Sequence, residues 1–267
     1  MKKQRKLFCE ISPLTYRISV EKGILLRHLL DCLRFVSFAR ERREKYLPVL
    51  VYRHGSLIRR RLGNVNMQLQ ENKAVNLSLA APKISGVVIK PGQTFSFWKL
   101  VGRTTAGRGY REGLTIASGA PSQGVGGGLC QFTNLIHWMV LHSELTIVEH
   151  HHHDGVDLFP DFNRTIPFGT GTSITYNYLD YRVKNNTDNT YQLVTWVDGE
   201  YLRGELRALR RQSFSYHVHA VGEHFAHEAD GIYRCGEVVR DKIDRRTGLV
   251  VEQQVVRRNH AKVLYDM

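Results

Sequence analysis

Apolar and polar positions alternate with two different periods along this chain. Early on the period is helical. In "ILLRHLLDCLRFVSF", residues 24–38, Leu25, Leu26, Leu29, Leu30, Leu33 and Val36 fall on one arc of a helical wheel, and Arg27, His28, Asp31 and Arg34 fall opposite. That spacing predicts an amphipathic helix, either docked on the protein's own core or, as a basic helix, lying on anionic lipid. Residues 39–64 read as a solvated helix end and a connector interrupted at Pro48 and Gly55. A second helix is expected over 66–81, stopping at Pro82. "SGVVIKPGQTFSF" reads as strand, Pro-Gly turn, strand, and residues 103–128 as a long loop partly packed through Tyr110, Leu114 and Ile116. From 129 to 142, Phe132, Leu135, Ile136, Met139 and Val140 form one apolar stripe, and the strand "LTIVEH" follows.

After residue 171 the period becomes that of strands. "TSITYNYLDYRVKN" reads as one long strand, and "TYQLVTWVDGEYLRGELRAL" as a hairpin turning at Asp198-Gly199. "GIYRCGEVVRDKIDRRTGLVVEQQVV" repeats that pattern around Thr247-Gly248. Helices early and antiparallel strands late predict an α+β fold, with the helix at 130 packed on a mainly antiparallel sheet. Three units are expected: a basic helical extension over 1–64, a central domain over 65–200 and a C-terminal β-hairpin extension over 201–267.

Charge sharpens the first of these. Residues 1–61 hold 16 Lys/Arg against 5 Asp/Glu, a balance of +11, while residues 62–267 hold 22 against 20, a balance of +2. A local basic segment suits an anionic membrane surface. No RNP-type aromatic motif or zinc finger supports nucleic acid as a partner. No run of about 18 apolar residues predicts a membrane-spanning helix, and the first residues lack the apolar stretch of a cleaved signal. Four cysteines without CxxC spacing read as reduced thiols. The expected location is the cytoplasm, either free there or peripheral on the inner face of the membrane.

The chemistry concentrates in "GVGGGLCQFTNLIHWMV", residues 124–140. A dinucleotide fingerprint fails at Leu129, and a phosphate loop would need Gly-Lys-Ser/Thr. What is left is a helix N-terminus presenting Cys130 off the apolar stripe. The helix dipole favours a thiolate there. Gly126, Gly127 and Gly128 leave room for a substrate carbonyl, and backbone N–H groups near them supply an oxyanion hole; Gln131 and Asn134 complete the substrate-binding set. The competing reading of Cys130 is a small buried hydrophobe. A nucleophile needs a base. His137 stands about 10 Å along the helix, whereas "VEHHHHDGVDLFPDF" places His151 and His153 on one face of a returning strand. A metal held by His151, His153 and Asp157, or a solvated histidine loop, are the alternatives for that run. No cofactor and no resident metal are expected.

"GGGLCQ", "IVEHHHH", "YNYLDYRVKNNTD" and, upstream, "KPGQTFSFWKLVGRTTAGRGY" occur in the order found in the VanW-like family, which this chain resembles over about residues 66–197. The resemblance places the motif cysteine at Cys130, the motif glycines at Gly126–Gly128 with Gln131 following, the two family histidines at His151 and His153, and the strand-motif acid at Asp180. His150 stands where many members have arginine, and Gly171 where many have an aspartate, so an acid orienting the base would be Asp157, Asp161 or Asp180. The implied function is cysteine-dependent acyl transfer or amide cleavage on peptidoglycan-type peptides, in the manner of an L,D-transpeptidase, with a link to glycopeptide resistance. The alternative is a non-catalytic module binding a cell-wall precursor peptide or a glycopeptide antibiotic.

Overall fold

A computed structural model describes residues 7–60, 66–117, 120–152, 155–161, 164–176 and 178–266; His153 lies outside them. Helix α1 (Pro13–Leu33) begins at a capping box, in which Ser12 Oγ accepts the Thr15 N–H and Thr15 Oγ1 accepts the Ser12 N–H. It ends in a Schellman turn. Val36 N–H bonds Asp31 O at 3.1 Å and Phe35 N–H bonds Cys32 O at 3.0 Å, with Phe35 at φ 49° where glycine is usual. The connector read over 39–64 instead contains strand β1 (Val49–Leu57). Its half-buried positions are held by pairing along the edge of the main sheet.

Helix α2 (Met67–Ile84) starts at Asn66, whose side chain accepts the Gln68 N–H, and runs past Pro82 to the fully buried Ile84. Strands β2 (Val87–Ile89) and β3 (Thr94–Ser96) flank the Pro-Gly turn but join different sheets. Short helix α3 (Phe97–Val101) follows. The stretch read as a loop holds the hairpin β4 (Glu112–Ala117) and β5 (Ala120–Val125), which leads into the glycines. Helix α4 (Cys130–Leu141) then begins at the cysteine.

Beyond it come β6 (Thr146–Glu149), β7 (Val156–Asp157), β8 (Arg182–Lys184), β9 (Tyr191–Asp198) and β10 (Tyr201–Ala208). The long strand expected from residue 172 is confined to β8. Upstream of it the backbone donors are taken by other partners: Thr172 N–H by Asn134 Oδ1, Ser173 N–H by His151 O and Asp180 N–H by Glu149 Oε1. Three long strands close the chain, β11 (Phe214–Glu228), β12 (Gly231–Asp244) and β13 (Val250–Val263), turning as expected near Gly248.

The main sheet runs β1-β10-β9-β2, antiparallel throughout, with α2 across β9 and α4 across β10 and β1. A second sheet runs β11-β12-β13-β7 and a third β3-β8-β6. The architecture is α+β with a strand-rich C-terminal part, as the change of period predicts. Helix α4 is covered from two sides. Leu135, Ile136 and Met139 join the main core, while Trp138 and Leu141 pack with Val218 and Val238 of the second sheet. His137, opposite the predicted stripe, is therefore also fully buried.

Candidate functional site

The glycines before α4 are spent on close approach within the chain. A Cβ at Gly127 would stand 2.2 Å from Gly113 O, and Gly127 O accepts Asn76 Nδ2 at 2.9 Å. Gly128 lies at φ +88°, and its Cβ would fall 2.3 Å from Lys73 Cγ. The N–H groups of Gly126 and Gly127 are donated to Arg111 O and Gly124 O. The tight turn seats the first residue of α4 beside α2.

Cys130 borders a cavity of about 250 Å³ between α2, β1 and α4. Gly128, Gln131 and Asn134 line it too. Gln131 Nε2 donates to Ser56 Oγ at 2.8 Å and Leu57 O at 2.7 Å, tying the helix start to β1. Asn134 Oδ1 accepts Thr172 N–H at 2.6 Å and Thr172 Oγ1 at 2.8 Å, which holds the 170–174 segment against α4. Four of the expected residues thus share one cavity.

The expected base and acid have other partners. His151 Nε2 bonds Glu149 Oε1 at 3.0 Å, and the same oxygen accepts the Asp180 N–H at 2.8 Å. Asp180 is buried, accepting from Ser96 Oγ, Trp98 N–H, Tyr181 N–H and Arg182 Nε. Burial pushes Glu149 up, but bonds from Arg27, the Asp180 amide and His151 outweigh it and hold its carboxyl below the usual range. Asp157 is engaged by Arg234 and Tyr265, and Asp161 by Arg234 and Arg164. His150 Nε2 meets Gly171 O at 3.1 Å, and its ring lies tilted against those of His137 and His152, with centroids 4.1 and 4.0 Å away. No group of three or more metal-ligating side chains converges among the described residues.

The cavity instead brings Cys130 together with residues the motif reading missed: Lys73, Gln70, Arg60, His54 and Arg164. Among the described residues lining it there is no Asp or Glu. Lys73 is 6% exposed, and no ion pair or hydrogen bond engages its amine among the described residues. Burial, and then the charges of Arg60 and Arg59, bring it down to about 7. Burial likewise lowers Arg60 and His54, with Arg164 acting on the former and Arg60 on the latter. Gln70 is 1% exposed, and neither its amide nitrogen nor its oxygen has a hydrogen-bond partner among the described residues. The sequence does carry a signal: Gln70 and Lys73 share the buried side of α2 with Leu69 and Leu77, where polar residues are costly unless partnered.

Cys130 is half-buried. Enclosure pushes its thiol up, offset in part by the backbone N–H groups of Ile174 and of Cys130 itself. Burial here outweighs the helix terminus, so the thiol is the resting form rather than the thiolate expected from position alone. A thiol that shares a cavity with an amine near neutrality can still react if the amine takes its proton during attack.

Residues 72–207 match the family described as VanW like protein. The chain is 34% identical over 224 residues to the vancomycin B-type resistance protein VanW of Enterococcus faecalis (strain ATCC 700802 / V583), a span covering 84% of this chain and 81% of that protein. It is 31% identical over 118 residues to the protein YoaR of Bacillus subtilis (strain 168), covering 43% of this chain and 36% of that one. No solved structure matches.

Proposed function

Because the chain belongs to the VanW-like family, we propose that its cavity at the start of α4 takes a peptide of the cell-wall type and that Cys130 is acylated there. The carrying observation is that Cys130 and Lys73, a buried amine with no ion pair among the described residues, line one cavity. In its neutral form Lys73 accepts the thiol proton as sulfur attacks a peptide carbonyl. The C–N bond then breaks, the departing amine takes the proton back from Lys73, and the acyl group is held as a thioester. An amine or water releases it by the reverse path. The Cys130 N–H is the donor assigned to the developing oxyanion, since the next amides, of Gln131 and Phe132, are donated to Gly128 O and Leu129 O. His151 and Asp180, joined through Glu149, serve as positioning residues for the segment beside α4.

The ligand chemistry follows from the lining. Gln70 offers an unmatched donor and acceptor, the complement of one peptide group. Arg60, which has no ion pair among the described residues, suits a carboxylate, with Arg164, itself paired with Asp161, at the same cavity. A peptide with a free carboxyl end carries both. The name of the enterococcal relative places that protein in vancomycin resistance, which supports a cell-wall peptide as the class.

A second reading is a non-catalytic module that binds the same peptide, favoured by the raised Cys130 thiol. One experiment separates the two. A synthetic peptidoglycan stem peptide is titrated into the native chain and Cys130→Ala, and product is sought by mass spectrometry. Binding by both with product from the native chain alone supports the enzyme. Binding by both without product supports the module, and no binding by either overturns both.

A further inference from the structure

Helix α1 is docked the wrong way round for a helix that fills a core. Its polar side meets the body: Arg27 pairs with Glu149 and bonds Tyr178 O, Asp31 pairs with Arg182 and Lys99, and Glu21 pairs with Arg103. Its apolar side faces outward. Leu25, Leu29 and Leu33 are 72%, 53% and 64% exposed, and Leu26 half exposed beside them. Phe35, just past the helix end, is 92% exposed while held at φ 49°, a conformation costly for a residue with a Cβ. Polar contacts hold this helix, and a strained backbone projects an aromatic ring from the same end.

We propose that this face of α1, continued by Phe35, lies in the surface of an anionic lipid bilayer. The charges fit that occupant. Both acids on the helix are engaged by the body, whereas Arg17, Lys22 and Arg34 have no ion-pair partner among the described residues. Lys22 stands within the apolar face, four residues from Ile18 and Leu26. The core of a protein–protein interface disfavours a lysine there; at a lipid surface its stem lies among the acyl chains and its amine reaches the headgroups. The first six residues add four Lys/Arg to the same end of the sequence. No helix among the described residues is long and apolar enough to cross a membrane, so α1 lies along the interface.

The test is co-sedimentation of the full chain with vesicles of phosphatidylcholine containing phosphatidylglycerol, against phosphatidylcholine alone. Binding is expected only where the anionic lipid is present, weakening as salt is raised. Lys22→Gln, on the face itself, should weaken it about fivefold. Leu26→Asp combined with Leu29→Asp should abolish it with an unchanged thermal midpoint, since both side chains are already exposed. Phe35→Gly guards against misfolding as the cause, because it relieves the strained φ: it should raise the thermal midpoint while weakening vesicle binding. Equal binding by these variants, or no binding by the native chain, overturns the proposal. Self-association of the native chain lost in the Leu26/Leu29 variant would likewise overturn it, by making a second copy the occupant.

Discussion

Gly128 and Lys73 occupy each other's space: a side chain on the glycine would need the position of Lys73 Cγ, 2.3 Å away. The glycine before the motif cysteine therefore lets a lysine from α2 run over the backbone into the Cys130 cavity. Gly128→Ala should destabilise the chain by about 1–3 kcal/mol, combining a positive φ with the clash. Lys73→Ala removes Cγ, so the double variant should lose less than the sum of the two single losses. Urea unfolding of all three checks this. Strict additivity would mean that the contact is not what requires glycine.

Lys73 also makes stability depend on pH in a particular direction. Its amine titrates near 7 in the fold, against an ordinary value of 10.5. Below about 7 it is charged in both states, and the fold bears the full cost of burying that charge. Between about 7 and 10.5 the unfolded chain binds the extra proton, so this cost fades as pH rises. Lys73→Met should therefore stabilise the protein by a few kcal/mol at pH 6 and by less at pH 9. Comparing the variant with the native chain at each pH cancels the other titrating groups. A difference independent of pH would place the amine in water.

Arg182 holds two elements to the rest of the fold. It bonds Asp31 of α1 through both terminal nitrogens, at 2.5 and 3.0 Å, and Asp180 through Nε at 2.9 Å. Replacing it with methionine leaves the buried Asp180 without its cation and Asp31 with Lys99 alone, and about 3–5 kcal/mol of stability should be lost. A loss below about 1 kcal/mol by denaturant unfolding would mean that Lys99 and water replace it.

Period alone gave the helix at 130, whose apolar stripe is buried, both late hairpins, which turn near an Asp-Gly or Thr-Gly pair, and the middle of α1, which begins at Pro13 rather than near 24, ends at Leu33 and leaves its stripe exposed. It failed where partners come from elsewhere in the chain. The β1 strand is specified by pairing with β10 rather than by its own alternation, and residues 172–180 alternate like a strand while Asn134, Glu149 and His151 take their backbone donors. The orientation of α1 was hidden for a similar reason: a wheel finds its two faces, but only Glu149, Arg182 and Arg103 decide which one docks. At the site, Cys130, Gln131 and Asn134 stood out by motif. Lys73 and Gln70 did not, since their importance is their burial beside a cavity formed by segments far apart in sequence.

The most direct test of the Cys130–Lys73 pairing is the pH profile of Cys130 acylation by an activated ester, N-acetylalanine p-nitrophenyl ester, followed by intact-protein mass spectrometry with peptide mapping. In the native chain the rate should climb through an inflection near 7, as Lys73 loses its proton. In Lys73→Met that inflection should vanish, leaving a rise only where the enclosed thiol itself ionises. The same profile in both proteins, or acylation that never reaches Cys130, would contradict the account.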